Sequence, residues 1–179
     1  MNHFKFRPTA LVLCFAVSIA VHAQAAAEKP EAKAQRHIDT LAWLVGGVWT
    51  ADATKLGPGM LRIETRYQWS DNSSYIRFTT HFVTTARELK NYDGNLFWNP
   101  TDQKLAAWYM DAGNSITQGP MAVDGDLWQI WFDGQDFEGK QASLRVQVAR
   151  KSADLYTWTL AEKQGEDWKQ LATLDYARK

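Results

Sequence analysis

Residues 41–49 read Leu41-Ala42-Trp43-Leu44-Val45-Gly46-Gly47-Val48-Trp49, an apolar helical turn, two glycines and then a tryptophan that opens a strand. Gly46 ends the helical pattern, because glycine readily takes the left-handed conformation that closes a helix. After Trp49 the apolar period becomes two and stays so to the C-terminus. A helix-to-strand junction followed by an almost unbroken series of strands predicts a meander that curls into a closed barrel with an interior.

Downstream, turn-forming clusters punctuate the chain at Gly57-Pro58-Gly59, Ser70-Asp71-Asn72-Ser73, Asn99-Pro100-Thr101-Asp102 and Asp111-Ala112-Gly113-Asn114. Four more follow at Asp124-Gly125-Asp126, Asp133-Gly134, Ser152-Ala153-Asp154 and Gly165-Glu166-Asp167. They separate segments 48–56, 60–69, 74–84, 87–98, 104–110, 115–123, 127–132, 141–150, 155–163 and 168–178, about ten strands in all. The prediction is an all-β fold: a single antiparallel meander β-barrel of about ten strands with a short N-terminal capping helix.

Upstream, Gln35 to Val45 is the expected cap. Ile38, Leu41, Trp43, Leu44 and Val45 form its apolar side, and His37, one turn before Leu41, reads as a solvated or capping side chain. Ala25 to Ala34 is polar, alanine-rich and of low complexity. Further back, Lys5 and Arg7 precede the apolar run Ala10 to Val21, and the small-residue patterns Val21-His22-Ala23 and Ala23-Gln24-Ala25 follow it. That order describes a secretory signal peptide of bacterial type. The run is too short to span a bilayer, which takes roughly 20 apolar residues. The expected organisation is a signal peptide over 1–23 (cleaved after Ala23 or Ala25), a flexible tether over 24–34 and one barrel domain over 35–179, placed in the periplasm or secreted.

Cys14, the one cysteine, lies inside the signal segment behind Leu13, so the mature chain has none. An exported domain without disulfides depends on its core, and a chain of about 155 residues buries roughly two-thirds of its unfolded surface. Removing Lys5 and Arg7 from the 20 basic residues leaves 18 against 20 acidic ones, a net of −2 with no block of one sign. That balance argues against nucleic acid or an anionic membrane surface as partner.

One hairpin is readable in detail. Pairing Trp69 with Ser74 across the turn puts Leu61, Ile63, Tyr67 and Trp69 on one face with Ile76, Phe78 and Phe82. The other face carries Arg62, Glu64, Arg66, Gln68, Tyr75, Arg77, Thr79 and His81, with Arg62 opposite His81 and Arg66 opposite Arg77. This polar face either meets solvent as a charge network around Glu64 or lines a wet lumen. In a lumen, Arg62, Arg66 or Arg77 would hold a ligand carboxylate. An arginine pair across two strands is unfavourable unless an anion lies between them.

Nine tryptophans are the main compositional excess. Trp49, Trp69, Trp108, Trp131 and Trp158 fall within strands and are expected in core or lumen wall, whereas Trp98 and Trp168 sit near rims. Trp128 and Trp131 lie three apart in one strand, so one of them points outward.

Gly47-Val48-Trp49 resembles the Gly-x-Trp that opens the first strand of lipocalin-like (calycin) barrels. Leu174-Asp175-Tyr176-Ala177-Arg178 resembles their last strand, whose arginine packs over that tryptophan. The Leu-Val-Gly-x-Trp opening, Asp167-Trp168-Lys169 and the closing Tyr-x-Arg-Lys together look like an uncharacterised family of exported bacterial calycin-like proteins, over roughly residues 38–179. The resemblance implies that Gly47, Trp49 and Arg178 close the barrel base, with a cation–π contact of about 0.5–2 kcal/mol. Ten strands suit the fatty-acid-binding version of such barrels. Ala51 and Ala53 stand where the haem-binding branch has its later glycines, so haem is not expected, and no other cofactor is implied.

Searches for chemistry return little. The mature chain keeps two histidines, His37 and His81, and no thiol, so no Ser/His/Asp or Cys/His arrangement can be assembled. No His, Cys and carboxylate cluster has metal-ligand spacing, and no glycine-rich loop precedes a helix. His81 reads as a hydrogen-bonded wall residue, and Asn72-Ser73-Ser74 as a chance match to a glycosylation site.

The leading expectation is an exported binding protein that holds a small apolar or amphipathic molecule in the barrel, since about eight strands already enclose one small ligand. Its candidate ligand contacts are Arg62, Arg66, Arg77, His81, Tyr67, Tyr109, Trp69, Trp108 and Trp131. The alternatives are a carbohydrate- or protein-binding module using Trp98, Trp128 or Trp168, and a barrel isomerase or cyclase in which a tyrosine or arginine polarises an oxygen.

Overall fold

The computed structural model describes residues 30–135 and 140–179. The expected signal peptide and the first part of the tether lie outside the described residues. Helix α1 (Pro30–Asp39) and a 3-10 turn (Ala42–Leu44) precede ten strands. These are β1 (Trp49–Asp52), β2 (Met60–Trp69), β3 (Tyr75–Thr84), β4 (Glu88–Asn99), β5 (Lys104–Asp111), β6 (Ile116–Asp124), β7 (Leu127–Gln135), β8 (Gln141–Ser152), β9 (Leu155–Gln164) and β10 (Asp167–Arg178).

Every strand pairs antiparallel with its neighbours in sequence, and β1 pairs with β10, so the sheet is a closed barrel. Closure runs through Trp49 opposite Arg178, Thr50 opposite Ala177 and Ala51 opposite Tyr176. It removes both sheet edges, which would otherwise offer unpaired backbone groups to other chains. A ten-stranded antiparallel barrel with one short helix is consistent with a calycin-like fold.

Alternation along the strands sorts the side chains. In β2, Ile63, Thr65 and Tyr67 are buried while Arg62, Glu64 and Arg66 are half-exposed. In β8, Leu144, Val146 and Val148 are buried between half-exposed neighbours. Strand side chains alternate by geometry, so a closed sheet turns one set inward.

The two barrel ends differ. The turns after β2, β4, β6 and β8 gather at the base, where the chain enters β1. Here the segment read first in the sequence acts as a plug: Ile38, Leu41 and Leu44 have no solvent exposure. Burying such a side chain fully is worth about 1.5–3 kcal/mol each. Trp43 packs edge-on against Trp49 and Tyr156, both at 5.8 Å, and the Arg150 guanidinium lies over its ring.

Three sequence expectations need correction. The β2–β3 register is two residues from that predicted: Trp69 pairs with Ile76, not Ser74. Ser70 N–H donates to the Tyr75 carbonyl at 2.9 Å, and the Ser70 hydroxyl and Asn72 amide oxygen accept from Ser74 N–H, which holds residues 71–74 as the turn. A shift of two keeps each side chain on its face but changes its partner. Arg66 therefore faces Thr79, Gln68 faces Arg77 and Glu64 faces His81, so the anticipated arginine pair does not form. Second, Leu61 is 40% exposed, because an irregularity between Met60 and Arg62 takes it off the apolar face. Third, α1 begins at Pro30, inside the stretch expected to be a flexible tether, and ends at Asp39; Leu44 lies on the separate 3-10 turn. Proline suits a first helical position, and Glu31 in the first turn complements the helix dipole.

Candidate functional site

Burial is not uniform along the inward set. Toward the base, Trp49, Leu96, Ile76, Val148 and Tyr156 are at most 1% exposed, while Trp69, Trp98 and Trp158 are half-buried. Toward the other end, Phe78, Phe82, Tyr92, Tyr109, Thr117, Phe132 and Leu160 are half-buried although they sit on the same inward set. The end away from the plug is formed by the β1–β2, β3–β4, β5–β6, β7–β8 and β9–β10 loops. That end is a mouth.

Aromatic rings make its wall. Phe78 and Tyr109 lie 6.3 Å apart, Tyr92 and Tyr109 5.2 Å, Tyr109 and Phe132 6.0 Å, and Phe82 and Tyr92 5.8 Å. Edge and tilted contacts of this kind add about 0.5–1.5 kcal/mol each beyond area burial, so they hold the rings in place. Gly94 permits the cluster: a Cβ there would sit 2.5 Å from Tyr109 Cβ and 2.8 Å from Phe78 Cζ.

Hydroxyls lie among the rings and toward the base. Thr65 and Thr80 share a hydrogen bond of 3.0 Å, and the Tyr156 and Tyr176 rings stack at 4.8 Å. Burial pushes the Tyr67 phenol up to about 12. Tyr92, Tyr109, Tyr156 and Tyr176 are pushed up too, chiefly by burial. All five stay protonated at neutral pH and offer neutral hydroxyls, each able to donate or accept.

Of the predicted contacts, Tyr67, Tyr109 and Trp69 face the interior: Tyr67 is buried, Tyr109 belongs to the mouth, and Trp69 packs toward the base. The other six stand on the outer wall. Arg62 Nε lies 2.7 Å from Glu64 Oε1 and Arg66 3.6 Å from the other carboxylate oxygen, so these form a surface network rather than a lumen anchor. Arg77 is exposed, and His81 Nδ1 lies 2.6 Å from Glu88 Oε1 outside the bore. Trp108 and Trp131 alternate with the inward Tyr109, Ala107, Ile130 and Phe132, which places both on the outside. Trp128, their inward counterpart, is 4% exposed.

Phe132, Tyr92, Thr117 and Leu160 were missed by sequence reasoning. Alternation from Leu96 reaches Tyr92, and alternation from Trp128 reaches Phe132. Extending the face sorting beyond the β2–β3 hairpin finds them.

Two grooves of about 620 and 570 Å³ flank α1 at the base, and both are lined by Lys33, Trp98 and Gln103. Two tryptophans near the barrel ends have a ring face covered: His37 stacks on Trp98 at 4.3 Å and Arg145 lies 4.6 Å over Trp168. Among the described residues there is no His, Cys and carboxylate group able to hold a metal, and no helix long and apolar enough to cross a membrane.

Fold and site together define a closed antiparallel β-barrel, plugged at one end and aromatic at its open mouth. No protein-family model matches the chain, and no curated protein matches it.

Proposed function

We propose that this chain is an exported, calycin-like binding protein that takes a small apolar or amphipathic molecule into the mouth of its barrel. One observation carries the reading: five inward aromatic rings (Phe78, Phe82, Tyr92, Tyr109, Phe132) cluster toward the end away from the plug and are only half-buried. Apolar surface left wet inside a concave wall is stabilised by an apolar guest at about 25 cal/mol per Å² covered. Export rests on the signal-peptide pattern of residues 1–23.

The test uses Nile red, a neutral apolar dye, with the mature chain and a Gly134→Phe variant. Gly134 lies on the inward set of β7, and a Cβ there meets Phe132 and Leu144 side chains at ordinary contact distance, so a larger residue fills the mouth. Wild type is expected to bind the dye and the variant to lose at least about ten-fold in affinity, or 1.4 kcal/mol. Binding that survives Gly134→Phe but disappears in Trp98→Ala moves the site to the helix grooves and overturns the reading. For export, the mass of the protein recovered outside the cytoplasm is expected to begin at Gln24 or Ala26.

A further inference from the structure

We infer that the ligand of the mouth is electrically neutral, a hydroxyl- or carbonyl-bearing apolar molecule rather than a fatty-acid anion. This rests on the binding reading above and narrows it. The observation is where the charges are.

Among the described residues, two arginines occupy inward positions, Arg150 and Arg178, and both belong to the sealed base. Arg150 lies 5.3 Å over Trp43, and Arg178 lies 4.4 Å over Trp49 with its nitrogens on the Val45, Gly46 and Ala153 carbonyls. Neither guanidinium is placed to meet a guest at the other end. Arg62, Arg66, Arg77 and His81 are on the outer wall, as shown above.

At the mouth itself the inward alternation brings Asp111, Glu162 and Lys169. Lys169 stands directly across from Glu162 in the β9–β10 ladder, and Glu162 shares the face of Leu144 across β8–β9. Asp111 accepts from Gly113 and Ser115 N–H in its own hairpin, and its charge is felt by Tyr92 and Tyr109. Lys55, Arg87 and Lys140 are on or beside the mouth loops and exposed, where water screens them.

The bore therefore offers hydroxyls and rings, with two acids and one lysine on its inward rim. A carboxylate drawn below that rim loses its hydration and finds no desolvated cation, a cost of several kcal/mol. An alcohol, ester or ketone oxygen finds partners: Tyr109 and Thr117 stand opposite each other across β5–β6, and a hydroxyl has one donor and two acceptor sites.

The experiment compares two probes of one chain length, 1-dodecanol and dodecanoate, by titration calorimetry with the mature chain at pH 7. The alcohol is expected to bind about ten-fold tighter or more, a difference of 1.4 kcal/mol. Thr117→Lys, which puts an ammonium on the inward wall, is expected to raise dodecanoate affinity above that of dodecanol. Dodecanoate binding as tightly as dodecanol to wild type, or gaining nothing from Thr117→Lys, overturns the neutral-ligand inference while the mouth remains a binding site. Failure of both probes to bind overturns the binding reading and this inference together.

Discussion

The Arg178 guanidinium lies 4.4 Å from the centroid of the Trp49 ring, and the Trp49 indole N–H donates to the Leu44 carbonyl at 2.7 Å. One contact thus ties the last strand to the first and both to the plug, with further donation from Arg178 to the Trp43, Val45 and Ala153 carbonyls. Each charged hydrogen bond to a carbonyl contributes about 1.5–3 kcal/mol and the cation–π contact about 0.5–2. These terms are not additive, so Arg178→Met is expected to cost about 3 kcal/mol in urea unfolding. Arg178→Lys is expected to recover less than half, because one ammonium cannot serve four carbonyls (Trp43, Val45, Gly46 and Ala153) and a ring. A loss under about 0.5 kcal/mol for Arg178→Met, the range of ordinary surface changes, removes the closing role.

Much of this architecture was readable in the chain. Period-two alternation and turn clusters gave the strand number, because those signals are local and each strand has one wet and one dry face. Sites were harder. Arg62, Arg66 and Arg77 share a face, but alternation says that two sets exist and not which one a closed sheet turns inward. The β2–β3 register depended on Ser70 and Asn72 capping their own turn, a side-chain effect that apolar pattern does not report. Trp108 and Trp131 were assigned by residue type, while their outward placement follows from Ala107 and Ile130 beside them.

Backbone crowding makes a second prediction. A Cβ on Gly94 would lie 2.4 Å from the Trp108 carbonyl oxygen, and one on Gly119 would lie 1.8 Å from that of Trp131. These neighbours are backbone and cannot step aside. Gly94→Ala and Gly119→Ala are each expected to destabilise by about 1–3 kcal/mol or more, the usual cost of overpacking. Gly57→Ala, with nothing within 4 Å of its added Cβ, is the control and should fall within about 0.5 kcal/mol of wild type.

Glu64 makes a third. Hydrogen bonding to Arg62 holds its carboxyl below the ordinary value. A carboxylate lowered in the folded state contributes stability above the unfolded pKa and loses it as pH falls through the lowered one. Glu64→Gln should therefore cost up to about 1 kcal/mol at pH 7, a surface-pair magnitude. The urea midpoints of variant and wild type should then converge near pH 3. Equal midpoints at pH 7 would show that the Arg62–Glu64–Arg66 network contributes nothing to stability.

The buried phenols set the alkaline limit. An unfolded tyrosine ionises near pH 10, whereas burial holds Tyr67 up at about 12 and raises Tyr92, Tyr109, Tyr156 and Tyr176 as well. For a group raised by folding, the stabilisation is fully present below the unfolded value and is lost as pH climbs toward the folded one. At about pH 12 the two-unit difference of Tyr67 alone removes roughly 3 kcal/mol, at 1.36 kcal/mol per unit. The other four raise this alkaline loss further, against the roughly 5–15 kcal/mol by which a domain stays folded. Between pH 10 and 12 the barrel should unfold cooperatively, and phenolate absorbance should rise in step with loss of far-ultraviolet ellipticity. Phenolate appearing near pH 10 for all these tyrosines, with the ellipticity unchanged, would mean that the bore is wet throughout and has no dry belt beneath its mouth.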